Sequence, residues 1–489
     1  MTAILTGESR MLIDGSLTPA SSGRLYDNIN PATEEVLGQT ADAASDDMDR
    51  AIAAARRAFD ESSWATDREL RKRCLSQLQH ALEDEKEALR SELVAEVGTP
   101  VSITYIAQLE WPLAEALKTP IAMMDTFAWE RALPDTNFFA PSHRVVWREP
   151  VGVVAAIAPW NFPLEVTLNK LGPALATGNT VVLKPAPDTP WNATRLGRLA
   201  VERTDMPPGV LNVVPTSDNT VAERLVTDSR VDMVSFTGST GVGQRIARLA
   251  TDTLKRTFLE LGGKSALIVL DDADLDAVLQ QAAFVGCVHA GQGCVINTRV
   301  LLPRSRYNEA VEILGAAVGQ VPYGDPTDPQ TVSGPLVNRR QLEVVLEYIE
   351  KGKAEGARVV TGGGRPEHLE RGYYVAPTLL ADVDNSMTVA REEIFGPVLC
   401  AIPYDDEDDA VRIANDSKYG LAGGVASASQ ERAMKVARRI RSGIMSVNGG
   451  MAYGADGPFG GCKMSGWGRQ GGAEGFDEYL TIRTIGYPD

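Results

Sequence analysis

Val151-Gly152-Val153-Val154-Ala155-Ala156-Ile157-Ala158 is an unbroken apolar run that stops at Pro159-Trp160-Asn161. A strand that is apolar at every position is buried on both faces, as in a parallel sheet covered by helices. Two further stretches repeat the pattern. Thr180-Val181-Val182-Leu183 ends at Lys184-Pro185, and Val231-Asp232-Met233-Val234-Ser235-Phe236 ends at Thr237-Gly238-Ser239. Alternation of such runs with helical stretches makes the chain α/β from Pro150 onward. Ligands of open α/β sheets sit beyond the carboxyl ends of the strands, so Asn161, Lys184 and Gly238 all fall on the expected binding edge.

Upstream, turn signals stand at Asp14-Gly15 and Asn30-Pro31, and two helices read clearly. Ser45 is placed to cap the first, which carries Met48, Ile52, Ala55 and Phe59 on one face. The second opens with Thr66-x-x-Glu69, a capping-box spacing, and carries Leu70, Cys74, Leu78 and Leu82, which makes Cys74 a core residue. Helix is expected to about Glu130, followed by extended segments over 132–149. Downstream, Gly238-Ser239-Thr240-Gly241-Val242-Gly243 follows a strand and precedes a helix over Gln244–Ala250. It lacks the GxGxxG spacing. A glycine turn at a helix start can bind an anion, and an ordinary connecting turn explains the hexapeptide equally well. A second α/β region opens at Ser265-Ala266-Leu267-Ile268-Val269-Leu270 and runs to about residue 470. Within it Gly362-Gly363-Gly364 reads as a surface loop. A helix over Gln430–Arg441 is expected to stop at a C-cap glycine, Gly443. The acidic run from Asp405 to Asp409 solvates a helix start, and Tyr479-Leu480-Thr481-Ile482 is a strand suited to pair with the 132–149 segment.

A chain of 489 residues is too long for one simple core, so two or three lobes are expected. With 48 basic and 65 acidic residues, a net charge of −17 argues against nucleic acid or an anionic membrane as a partner. The five cysteines are scattered with no CxxC pair, and the four histidines are dispersed, so no metal site is expected. Met1 to Asp14 has no basic segment leading into an apolar run, and no run of eighteen apolar residues occurs anywhere. The expectation is a soluble protein of a reducing, cytoplasmic compartment.

One thiol stands apart. Gly291-Gln292-Gly293-Cys294-Val295-Ile296-Asn297-Thr298-Arg299 sets Cys294 between small residues, where no neighbouring Cβ blocks approach to a strong nucleophile. A free cysteine more often simply packs. What shifts the reading is the company it keeps: Pro159-Trp160-Asn161-Phe162-Pro163, then Phe258-Leu259-Glu260-Leu261-Gly262-Gly263-Lys264, then Glu392-Glu393-Ile394-Phe395-Gly396-Pro397, then Pro458-Phe459-Gly460-Gly461-Cys462-Lys463-Met464-Ser465-Gly466. With these motifs, in this order over nearly its full length, the chain resembles the NAD(P)-dependent aldehyde dehydrogenase superfamily.

The resemblance implies two Rossmann-like parallel-sheet domains plus a small β oligomerisation arm. Residues 1–131 and 150–262 would bind the dinucleotide, 263–470 would carry the nucleophile, and 132–149 with 476–489 would form the arm, giving a homodimer or homotetramer. It implies oxidation of an aldehyde to the acid with NAD, NADP being accepted to a lesser degree. Cys294 would form a thiohemiacetal and then a thioester, Asn161 would stabilise the oxyanion with the Cys294 backbone N–H, and Glu260 would activate water, with Lys170 as a helper nearby. Cofactor contacts would come from Pro159, Trp160, Lys184, Pro187, Gly238, Ser239, Val242, Leu261, Glu393 and Phe395. The substrate tunnel would involve Phe162, Val166, Asn169, Val288, Tyr453 and Phe459. That lining is largely apolar and has no Arg, which points to a hydrophobic or aromatic aldehyde rather than a semialdehyde of a dicarboxylic acid. Competing readings are a CoA-acylating relative, which would lack Glu260, a catalytically silent scaffold, and an esterase using the same thiol. Two positions depart from the common pattern: Pro187 stands where NAD-preferring relatives have Glu, and Gln470 where the family often has Glu.

Overall fold

Four β-sheets organise the computed structural model, which describes residues 7–488, the smallest being the pair Leu25–Ile29 and Val36–Ala41. The reading of Met1 to Asp14 therefore lies partly outside the described residues. In the first sheet the strands Arg256–Glu260, Met233–Thr237, Val153–Ile157, Thr180–Lys184 and Leu211–Val213 lie side by side and parallel. Ile157 pairs with Lys184, Phe236 with Ile157, and Thr237 with Glu260. This register aligns the four carboxyl ends along one edge, so the residues that follow them converge. Val153, Val154, Ala155 and Ala156 are fully buried, as a strand covered on both faces must be.

The second sheet is built around Ser265–Val269, parallel to Asn297–Pro303 on one side and Ala422–Ala426 on the other. Its neighbours continue through Val398–Tyr404 and Thr378–Ala381, and on the far side through Ile444–Val447. The chain does not leave the first sheet for good at residue 262: Gly466–Trp467 returns to pair antiparallel with its edge strand, setting Gly466 opposite Glu260. The third sheet is the arm. Ser142–Pro150 pairs with Glu130–Thr136 and, along its whole length, with Leu480–Tyr487. At its tip Phe138 and Phe139 stack edge to face and are 83% and 94% exposed.

Several local expectations are corrected. The helix Ser45–Glu61 is not capped by Ser45, which lies inside its first turn; instead Asp47 accepts the Ala44 N–H at 2.9 Å. The helix Arg68–Asp84 is capped by Asp67, whose carboxylate accepts the Leu70 N–H, so the Thr66-x-x-Glu69 box does not form. Asp67 wins because it is the residue whose extended backbone stands directly before the first turn. Helix ends at Thr126 rather than Glu130, which already belongs to the arm. The helix after the glycine turn begins at Thr240, four residues before Gln244, with Ser239 capping it through a bond from the Val242 N–H.

Gly443 is not a C-cap. The helix Gln430–Ala437 ends six residues earlier, and a Cβ on Gly443 would lie 1.7 Å from the Gly460 carbonyl oxygen. That glycine is required by a close backbone approach. Cys74 is buried as its helical spacing predicts, and Asp406 caps the helix Glu407–Asn415 within the acidic run.

Candidate active site

Cys294 lies in the loop that enters Asn297–Pro303, at the amino end of that strand, and is half-buried. The approach is a left-handed turn: His289, Ala290 and Gly291 take φ of 53°, 55° and 67°. Two of these are not glycine, and positive φ in such residues is strain that surrounding contacts must hold. The contacts are specific. His289 is buried and its Nε2 lies 2.9 Å from the Asn161 carbonyl oxygen, and Asn161 Nδ2 donates to the Gln292 carbonyl at 2.9 Å. Gln292, also buried, accepts the Val337 N–H on Oε1. Burial pushes the His289 imidazole down to about 4, so it sits there neutral. The glycine at 291 answers to packing rather than to substrate access: a Cβ there would lie 2.3 Å from the Gly396 carbonyl oxygen.

Glu260 ends the strand Arg256–Glu260 and is buried, with neither carboxyl oxygen hydrogen-bonded. Burial raises its carboxyl to about 8, against the pull of Lys170 and Arg469 and with a further push from Glu165. A buried carboxyl with no partner costs about 1–3 kcal/mol, so it marks a functional group more often than a structural one. The loop after it is pinned by Ser465, whose carbonyl accepts the Leu261 N–H and whose hydroxyl donates to the Gly262 carbonyl at 2.7 Å. Lys170 is fully buried on the helix Pro163–Ala176, donates to Ser235 Oγ at 3.2 Å, and is pushed by burial down to about 7, with Glu260 and Glu165 resisting.

The Cys294 thiol is pushed well above its ordinary value, first by burial and then by Glu260, Glu393 and Glu165, while its own backbone N–H works the other way. It rests as a thiol among carboxyl groups, and its proton needs an acceptor.

The remaining cofactor candidates gather at the sheet edge. Lys184 is buried at the end of its strand, pushed by burial down to about 8 despite Asp188. Trp160 and Phe395 stack edge to face at 5.3 Å, Phe395 with φ of 56°. Ser239 opens the helix Thr240–Ala250, where Gly241 faces open space and Val242 is 48% exposed. A buried cation, an open helix start and an exposed apolar residue suit the phosphates, riboses and base of a dinucleotide. Pro159 and Pro187 are half-buried beside them, and Leu261 is buried against Gly243. Glu393 accepts the Gly263 N–H at 2.9 Å and sits so close to Gly262 that a Cβ there would lie 2.0 Å from its Oε2. Burial raises its carboxyl to about 7.

In the tunnel region Phe162 meets His289 edge to face at 5.4 Å, and Tyr453 meets Phe459 the same way at 5.1 Å. Asn169, Tyr453 and Phe459 line one cavity together with Trp111 and Gln470. Val166 is buried and Val288 is half-buried at the end of the helix Leu275–Cys287. A buried carboxyl stands beside the expected apolar lining. Glu165, one turn before Asn169, is buried, accepts from Asn169 Nδ2 at 2.5 Å, and accepts the Tyr453 hydroxyl proton on the same oxygen. Sequence reasoning passed over it, although an acidic residue between Leu164 and Val166 in an apolar helix was the available signal. It passed over His289 and Gln292 too, whose roles depend on a turn that no spacing rule announces. Among the described residues no cluster suited to a metal ion occurs, and no helix is long and apolar enough to cross a membrane.

Comparison with known proteins bears on the same arrangement. The family model described as the aldehyde dehydrogenase family matches residues 17–485. The chain is 41% identical over 480 residues to a 3-succinoylsemialdehyde-pyridine dehydrogenase of Pseudomonas sp, covering 97% of each. It is 40% identical over 477 residues to the geranial dehydrogenase of Castellaniella defragrans, covering 97% of this chain and 98% of that one. The solved structure of a Mycobacterium tuberculosis aldehyde dehydrogenase complexed with NAD+ superimposes with a TM-score of 0.94 at 42% identity, covering 98% of both.

Proposed function

The chain belongs to the aldehyde dehydrogenase family, enzymes that oxidise aldehydes, and from that premise we propose that it works with NAD through a covalent thioester on Cys294. What carries this reading is the unpartnered buried carboxyl of Glu260 within electrostatic reach of the Cys294 thiol. A carboxyl held near 8 is a strong base once ionised, and that form, a minority at neutral pH, grows as pH rises. It takes the thiol proton, and the thiolate attacks the aldehyde carbonyl carbon to give a tetrahedral thiohemiacetal. The second N–H of Asn161 and the Cys294 backbone N–H stabilise the oxyanion, each donor of such a hole being worth roughly 3–4 kcal/mol. Asn161 suits the task because its bond to the Gln292 carbonyl fixes the side-chain amide, and the His289 contact holds its backbone, before substrate arrives.

The chemistry that NAD supplies when bound is acceptance of hydride from this adduct, which leaves Cys294 as a thioester. Lys184, Ser239, Val242, Glu393 and Phe395 would hold it, with Trp160, Pro159, Pro187, Gly238 and Leu261 around them. Glu260 first loses the thiol proton to solvent, then deprotonates a water that attacks the thioester carbonyl; the Cys294 thiolate is expelled and regains its proton from Glu260 as the acid leaves. Residues 1–131 and 150–262 form the dinucleotide-binding part in this reading, 263–470 the nucleophile-bearing part, and 132–149 with 476–489 an arm for a homodimer or homotetramer. A cytoplasmic location fits five cysteines that are all free. Phe162, Val166, Phe459 and the ring of Tyr453 favour a substrate with an apolar or aromatic body. NADH formation, followed by absorbance over a panel of apolar, aromatic and carboxylated aldehydes, tests the reading. Failure of every aldehyde to yield NADH would overturn it.

A further inference from the structure

We propose that Glu165 is a specificity-determining residue, and that the preferred aldehyde carries a hydroxyl or N–H donor on its otherwise apolar body. This deepens the proposed function and rests on Cys294 being the nucleophile. Glu165 lies on the helix Pro163–Ala176, whose residues are buried throughout, and it is 8% exposed. Burying a carboxyl there carries a desolvation cost that an apolar side chain of similar volume would avoid. The oxidation mechanism does not use it. No ion pair repays it either: the nearest cation in its environment, Lys170, directs its hydrogen bond to Ser235.

The hydrogen bonds it does make are one-sided. Asn169 Nδ2 and the Tyr453 hydroxyl both donate to Oε1, and Asn169 Nδ2 also lies 3.1 Å from the Tyr453 hydroxyl. Both bonds fall on Oε1, and among the described residues none donates to Oε2. Asn169, at i+4 on the same helix face, and Tyr453, from the far side, thus clamp the carboxyl in one orientation and leave one oxygen open. The two clamping residues line the cavity bounded by Trp111 and Phe459, and both Glu165 and Tyr453 are electrostatically coupled to the Cys294 thiol. A pre-oriented carboxyl whose two clamping residues line that cavity, and which acts electrostatically on the Cys294 thiol, matches one kind of ligand group, a donor. A site built to hydrogen-bond a substrate hydroxyl or N–H discriminates strongly against the analogue that lacks it, because its own polar atom is left unpaired. The same carboxyl repels a substrate carboxylate.

The test compares kcat/KM for hexanal, 6-hydroxyhexanal, 6-oxohexanoate and 6-(trimethylammonio)hexanal, with NAD saturating. The expected order places 6-hydroxyhexanal at least about tenfold above hexanal, and 6-oxohexanoate below both. In Glu165→Leu the preference should invert, hexanal rising and 6-hydroxyhexanal falling. Glu165→Gln, isosteric and still an acceptor, should keep the hydroxyl preference while relaxing rejection of 6-oxohexanoate; it also provides the reading if Glu165→Leu is insoluble. Equal loss for all four aldehydes in both variants would make Glu165 a structural residue and overturn the proposal. So would a wild-type enzyme that prefers the donorless trimethylammonium compound, or one that treats hexanal and 6-hydroxyhexanal alike. Absence of turnover with every compound would instead sink the dehydrogenase reading on which the proposal rests.

Discussion

Gly263 presses against the backbone of Cys294: a Cβ built on Gly263 would lie 2.6 Å from the Cys294 carbonyl oxygen. The loop that follows Glu260 and the loop that holds Cys294 are therefore in direct backbone contact. This contact limits how closely the two loops can approach one another.

Gly263→Ala should accordingly displace the Cys294 loop and lower kcat/KM by an order of magnitude or more, since a misplacement of about 1 Å costs around 10²-fold. Gly364→Ala is the control, because a Cβ there meets nothing within 4 Å. Steady-state kinetics with thermal denaturation of both variants reads the comparison. Wild-type activity in Gly263→Ala would mean that the contact relaxes without consequence.

Cys294→Ala should abolish both NADH formation and ester hydrolysis, whereas Glu260→Gln should slow thioester hydrolysis by about 10²–10⁴-fold. Intact-protein mass spectrometry should then find an acyl adduct on the Glu260→Gln enzyme after aldehyde and NAD are added. No adduct together with fast NADH formation would remove Glu260 from its role.

The pH dependence follows from the same carboxyl. Its value in the folded protein, about 8, lies above the ordinary 4.5, mainly through burial. Only the ionised form is a base, so hydrolysis should climb as pH rises through about 8 and then level off. Stability runs the opposite way: the folded state holds this proton where the unfolded chain has lost it, so Glu260 destabilises progressively between about 4.5 and 8. Glu260→Gln should flatten that part of the stability profile, measured by denaturant titration at several pH values.

Cofactor preference should turn on position 187. Proline offers neither an acceptor for ribose hydroxyls nor a charge against a 2′-phosphate, and discrimination that lacks a repulsive element is narrow. The neighbouring Asp188 is engaged elsewhere, accepting from Asn338 Nδ2 at 2.8 Å. NAD should be preferred by a small margin, and Pro187→Glu should widen the NAD/NADP ratio of kcat/KM mainly by lowering NADP use. An unchanged ratio would mean that residue 187 does not face the adenosine ribose.

The arm carries the last prediction. Two stacked phenylalanines, almost fully exposed at the tip of a three-stranded sheet, form an apolar surface that a lone chain leaves in water. Light scattering at micromolar concentration should find a homodimer or homotetramer, and replacing Phe138 and Phe139 by serine should weaken it. A fully active monomer would refute the assignment.

The sequence by itself determined three central strands of the first sheet, because strands buried on both faces are largely apolar and their composition registers that directly. It marked Cys294 and Glu260 through motif order, and it placed Asn161, Lys184 and Gly238 on one edge, since parallel strands end together. It misjudged caps and helix ends, where the choice between adjacent polar residues depends on backbone angles that no pattern records. Only the tertiary structure decided why Gly291, Gly263 and Gly443 are glycines, for each is fitted against a carbonyl oxygen from a distant segment. Only it brought Glu165 under Tyr453, 288 residues away, and left Glu260 without a partner. Spacing along a chain reports which face a residue occupies; whether a buried carboxyl meets a donor depends on which other segment folds over it.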